Sequence, residues 1–162
     1  NATVIYEAAL NEYAPLGIEA AVTNTATVSG TGITPVTAAE TVNAEAAPNL
    51  AITKSVSPVP VTENGTLTYT FRIQNYGSVA ATNTTGVVIT DTFAPVLNNL
   101  TAALNGTAWT AATDYTYNEA TGTFSSTAGA ITVPAATYTQ DSTTGAWVVT
   151  PGESTLVITG TV

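Results

Sequence analysis

Alternating apolar and polar residues, closely spaced turn residues and very few charges predict an all-β protein. The expected fold is an immunoglobulin-like antiparallel β-sandwich, completed by a donated or folded-back strand. Runs of period two recur along the 162 residues, and no stretch carries a helical period. Gly, Pro and Asn interrupt these runs at short intervals, as expected for many short antiparallel strands. Thr is abundant, and with Val, Ile and Tyr it favours a pleated, half-buried surface.

Taken in order, residues 3–10 alternate with Val4, Tyr6, Ala8 and Leu10 on one face, which predicts a strand. A loop through Pro15 and Gly17 leads to a second predicted strand over residues 20–28. Residues 29–49 are rich in Gly, Thr, Ala, Glu and Pro, and read as a linker with one weak strand near Val36. Residues 50–162 read as the sandwich. Its first strand covers 50–56 and ends at a bend marked by Pro58 and Pro60. Glu63, Asn64 and Gly65 form a turn before the best strand of the chain, residues 66–74, which turns Leu67, Tyr69, Phe71 and Ile73 inward. A turn at Asn75 and Gly77 and a strong strand over 86–93 follow. Shorter strands are expected near Trp109, Tyr115, Phe124, Ile131 and Trp147, and over 155–162.

Residues 3–10 align with residues 155–162 without a gap, apolar position for apolar position. The first copy is followed by a loop and the strand over 20–28; the second is followed by nothing. The sandwich therefore reads as one strand short, with a strand of the missing kind at the other end of the chain.

Composition narrows the chemistry. There is no Cys, Met or His, which excludes thiol catalysis, disulfides, Ser/His/Asp triads and the common soft metal ligands. No metal or cofactor is expected, since Asp114 and Asp141 lack companions at calcium-loop spacing. Eleven acids against Lys54 and Arg72 give a net charge of −9, which opposes nucleic-acid binding. The apolar runs are too short for a membrane span. The chain opens at Asn1 with no basic or apolar leader, as expected of a secreted chain whose signal has been removed.

Three polar side chains fall on predicted core faces. Lys54 shares a face with Leu50, Ile52 and Val56; Asp91 with Val87, Ile89 and Phe93; Asn24 with Val22, Ala26 and Val28. Unpaired charges are costly to bury, so the three are expected to meet. A Lys, an Asn and a carboxylic acid held together out of water can form an isopeptide bond. The neutral amine attacks the Asn24 carboxamide, Asp91 in its acid form polarises the carbonyl, and ammonia leaves. The competing readings are a buried Lys54–Asp91 ion pair with Asn24 bonded to backbone, or a Lys54 that snorkels to the rim. Asn75, inward with Phe71 and Ile73, is the second-choice acceptor, although its place after a strand also suits a turn cap.

The stretches from Asn49 to Pro58, Asn64 to Thr70, Gln74 to Gly77, Val88 to Thr92 and Val22 to Val28 resemble a family of tandem repeats. These are the bacterial and archaeal surface repeats called domain of unknown function eleven. The resemblance covers residues 50–162, and residues 3–28 look like the closing strands of such a repeat, making 1–28 a candidate donor segment. It implies an immunoglobulin-like sandwich in secreted, wall-attached or filament proteins. The chain is also similar to the collagen-adhesin-type pilin domains that form Lys–Asn isopeptide bonds. There the lysine lies on the first strand, the acid mid-domain and the asparagine on the last strand, roles that Lys54, Asp91 and Asn24 match. The order departs, because Asn24 precedes Lys54.

The functional expectation is a structural, extracellular subunit that is not an enzyme beyond one autocatalytic turnover. Identical subunits would join head to tail by strand exchange into a filament or pilus. Alternatives are a stalk module of a long surface adhesin, or an adhesin domain using Trp109, Trp147, Tyr115 and Tyr117 on a host or carbohydrate ligand. Sequons at Asn1, Asn64, Asn83, Asn99 and Asn105 permit glycosylation.

Overall fold

Residues 66–75 place Leu67, Tyr69, Phe71, Ile73 and Asn75 on one buried face, and this alternation organises the whole sandwich. A computed structural model describes residues 3–17 and 20–162. Among them, twelve strands follow in order. They are β1 (Ala21–Gly30), β2 (Ile33–Asn43), β3 (Leu50–Ser57), β4 (Thr66–Asn75), β5 (Thr90–Thr92) and β6 (Asn98–Leu104). Then come β7 (Thr107–Ala108), β8 (Tyr115–Asn118), β9 (Thr123–Ser126), β10 (Thr137–Gln140), β11 (Trp147–Thr150) and β12 (Gly152–Thr161). The chain divides into two units: Asn1–Ala46 with Thr137–Thr150, and Ala47–Ala136 with Pro151–Val162.

The second unit is an antiparallel β-sandwich. One sheet has the order β3-β4-β12-β6-β7 and the other β5-β9-β8. Leu67, Phe71, Leu156, Ile158, Ala102 and Leu104 of the first sheet bury against Phe93, Leu97, Tyr115, Phe124, Ile131 and Val133. Tyr69 and Phe93, with centroids 4.7 Å apart, join the layers, and Tyr115 stacks on Phe124 at 5.3 Å within the second sheet.

The first unit holds two hairpins. β1 pairs with β2 and β10 with β11. The Trp147 N–H donates to the Glu12 carbonyl at 2.7 Å, tying the segment before β1 to β11.

Several expected boundaries move. Residues 29–49 are not a plain linker, because Ile33–Asn43 forms β2 against β1 in unbroken register from Val36 to Asn43. Residues 3–10 form no strand: Val4, Ile5, Tyr6 and Leu10 are exposed and no sheet edge among the described residues takes them, so the pattern they share with β12 is not matched by a shared structure. Residues 137–150 leave the sandwich and belong to the first unit. The strand expected over 86–93 shortens to β5, since Gly86 adopts a left-handed φ of 68° that no strand continues through.

Candidate functional site

β3 is an edge strand whose core face is left bare. Its register sets Leu50 against Asn75, Ile52 against Ile73, Lys54 against Phe71 and Val56 against Tyr69, so all four point to the sandwich interior. The β4 partners are buried, yet Leu50, Ile52 and Val56 are 38%, 52% and 39% exposed. The cause is the opposing sheet, which ends at β5. A strand added at the unpaired edge of β5 would cover these side chains. One added beside β3 would leave them bare.

Lys54 and Asp91 meet at this opening. Asp91 lies opposite the fully buried Phe124 in the β5–β9 register, which turns its carboxylate inward. The Lys54 Nζ donates to Asp91 Oδ2, and the Thr92 N–H donates to Asp91 Oδ1 at 2.9 Å. The ammonium also sits 4.9, 5.4 and 5.2 Å from the ring centroids of Tyr69, Phe71 and Phe93. The side chains are 40% and 18% exposed. The pair is thus half-covered, floored by aromatic rings and open on the side beyond β5, where the second sheet ends. A cleft of about 370 Å³ lies there, lined by Lys54, Val56, Tyr69, Thr92, Phe93 and Ala94.

Asn24 is not part of the sandwich. It lies on β1 in the first unit, exposed, where its Nδ2 donates to the Tyr6 hydroxyl and Glu40 stands opposite it on β2. Asn75 is fully buried, and all its hydrogen-bonding capacity is taken. Its Oδ1 accepts from the Asn49 and Gly77 N–H groups, each at 2.9 Å, and its Nδ2 donates to the Val79 and Pro134 carbonyls at 2.8 and 3.0 Å. Asn75 therefore pins Asn49, the 77–79 turn and Pro134 together. The β3–β4 register sets this second-choice acceptor opposite Leu50, four residues along β4 from the Phe71 that faces Lys54, and its carboxamide holds the sandwich end closed. Gly77 contributes to the same closure, since a Cβ there would stand 2.1 Å from the Ala47 carbonyl.

The remaining expected residues divide by role. Asn64, Asn83 and Asn99 are exposed, whereas the Asn105 side chain accepts from the Thr155 N–H at 2.8 Å and donates to Ser154 Oγ at 3.2 Å. Asn1 lies outside the described residues. Tyr115 is buried, and desolvation raises its phenol above the ordinary value; its hydroxyl donates to the Leu100 carbonyl at 3.3 Å. The Tyr117 hydroxyl donates to the Leu97 carbonyl at 3.0 Å and accepts from the Leu97 N–H at 2.9 Å, so both tyrosines work as framework. Trp147 belongs to the first unit, and Trp109 packs against the sandwich core. Asp114 and Asp141 cap turns, accepting from Thr110 at 2.8 Å and from Thr143 and Thr144 at 2.8 and 2.7 Å. Glu40 is the residue that sequence reasoning missed; the signal was its alternation with Val36, Ala38 and Val42 inside what read as a linker. Searched against protein-family models, curated proteins and solved structures, the chain gives no match in any of the three.

Proposed function

We propose that this chain is a structural subunit of an extracellular cell-surface filament, assembled head to tail by addition of a strand to an incomplete sandwich. One observation carries this reading: the bare core face of β3 beside the unpaired edge of β5. An open edge next to uncovered aliphatics is a template for a partner strand. β1 has the matching pattern, with Val22, Ala26 and Val28 on the face of Asn24. Repeated from copy to copy, such a contact is heterologous and generates an open fibre.

The covalent step belongs to the same reading. A proton moves from the Lys54 ammonium to Asp91, and the neutral amine forms a C–N bond to the Asn24 carboxamide carbon of the incoming strand. The C–NH2 bond then breaks as Asp91 hands its proton to the leaving nitrogen and takes up the one that the new amide nitrogen sheds, and ammonia departs. Atoms balance without an oxidant or cofactor. The resemblance to isopeptide-forming pilin domains supports this assignment of roles, and the Lys54–Asp91 contact supplies two of the three partners.

Purified full-length protein would be imaged by negative stain, run boiled on a denaturing gel, and weighed intact. Fibres, a ladder of subunit multiples, and the loss of one ammonia per junction are expected, with the ladder abolished by Lys54→Ala. Monodisperse protein at every concentration would overturn the filament reading in favour of a stalk module whose opening is closed by a neighbouring repeat. Fibres without a ladder or mass change would overturn the covalent step alone.

A further inference from the structure

The two faces of the β1–β2 hairpin differ in chemistry. One carries Thr23 opposite Thr41, joined through their hydroxyls at 2.8 Å, and Thr27 opposite Thr37. The other pairs Val22 with Val42, Asn24 with Glu40, Ala26 with Ala38 and Val28 with Val36. This second face is an apolar stripe with one polar pair in it, and Val28, Val36 and Val42 are about two-thirds exposed. Directly opposed residues stand with Cβ atoms about 5 Å apart, so the Asn24 carboxamide and the Glu40 carboxylate are neighbours.

The bare face of β3 has the same format: Leu50, Ile52 and Val56 with one cation, Lys54, among them. Lys54 is the sole lysine, and the only other cation, Arg72, pairs with Glu153 at 2.5 Å on the outer face of β4 and β12. A carboxylate carried into an apolar contact needs a partner, and at this opening Lys54 is the cation that can serve.

We propose that the element entering the opening is the whole β1–β2 hairpin of a second copy, with Glu40 arriving beside Asn24. Lys54 is then flanked by two carboxyl groups, Asp91 of its own chain and Glu40 of the incoming one. The inference rests on the filament reading above and names the donor more fully. A hairpin is favoured over a lone strand because stripping β1 from β2 would forfeit nine register pairs and expose two backbone edges. Glu40 is a positioning residue that sets register. Sliding the hairpin by two residues leaves Glu40 against Ile52 or Val56 and offers Lys54 only aliphatic neighbours.

The test uses the full chain carrying Asn24→Ala, which cannot form the amide, as a mixture of light and nitrogen-labelled heavy protein assembled together. A carbodiimide, which joins carboxyl to amine without a spacer, is added, and peptide mapping identifies the products. Lys54–Glu40 products that pair light with heavy chains are expected, and Glu40→Gln should remove them. Mixed assemblies whose only Lys54 product is the intrachain Lys54–Asp91 link would overturn the hairpin inference and leave strand addition standing. Lys54–Glu40 products confined to light–light and heavy–heavy pairs would overturn the second copy as occupant. Failure of the unsubstituted chain to assemble at all would remove the filament reading itself.

Discussion

Lys54 on β3 and Asp91 on β5 join the edge strands of two opposed sheets, at the one side of the sandwich where a core face lies uncovered. The contact does two things. It ties edges that no backbone hydrogen bond connects, and it keeps a charge inside an aromatic-floored cleft without stranding it. Because the pair is partly exposed, its electrostatics remain partly screened.

Removing Asp91 should therefore have a limited effect. Asp91→Ala is expected to lower stability by about 1 kcal/mol, the range of partly exposed pairs, with the three rings retaining part of the attraction to the ammonium. Lys54→Met should cost less, since it fills the same cleft with apolar atoms. Urea unfolding at low and high salt checks both, and the Asp91→Ala difference should shrink as salt screens the pair. A loss as large as the roughly 3–5 kcal/mol typical of a deleted core phenylalanine would contradict a partly screened pair.

Asn75 should be far less tolerant. Asn75→Ala orphans two backbone N–H groups and two carbonyls at once, so a loss of about 3 kcal/mol or more is expected, given about 1–3 kcal/mol for each buried group left unsatisfied. Asn75→Asp should be worse, because it leaves the same two carbonyls without a donor and sets a buried carboxylate against their oxygens. Denaturant midpoints of the two variants give the ranking; equal midpoints would refute the role assigned to the Nδ2 donors.

What could be read from sequence was the local pattern, and what could not was the choice of partner. β4 and β12 alternate so cleanly that their inward faces follow from period two alone, and the same rule placed Lys54 and Asp91 on core faces. β6 is an interior strand of its sheet, yet it opens with two Asn, has small Ala at 102 and 103, and carries a left-handed Asn99, so it carries no strand signature. Pro35 and the surrounding small residues left β2 legible only as a weak strand near Val36, and its full length from Ile33 to Asn43 exists because β1 supplies its ladder. Residues 3–10 show the reverse: a fine alternation that joins no sheet edge among the described residues. Strands are settled by non-local pairing, so Asn24 could be assigned a face but not a neighbour.

The carboxylate of Asp141 offers a pH test. The N–H groups of Thr144 and Thr143 hold it below its ordinary value of 3.8 by bonding its charged form. A depressed folded value means the contribution to the β10–β11 turn is complete above the ordinary carboxylate range. It is lost as pH falls through the lowered value. Titration followed by NMR should give an Asp141 midpoint under 3.8, with the Thr143 and Thr144 amides shifting in step. A midpoint at or above the ordinary value would refute the turn geometry.

The edge chosen by an incoming strand can be read from amide exchange. Ser126 donates to the Ile89 carbonyl and Phe93 to the Gly122 carbonyl, so positions 89 and 93 bond towards β9. By antiparallel alternation Asp91 does the same, while Thr90 and Thr92 face the unpaired side; the Thr92 N–H is already held by Asp91 Oδ1, which leaves Thr90 as the reporter of that edge. Under the proposed assembly, strand addition at β5 should therefore slow exchange at Thr90, with less change at Asp91 and Thr92, whose amides are already bonded. Addition beside β3 would instead protect alternate β3 amides and leave Thr90 fast. The second outcome would also leave Leu50, Ile52 and Val56 uncovered, without the apolar burial on which the proposed assembly relies, so exchange at Thr90 distinguishes the two edges.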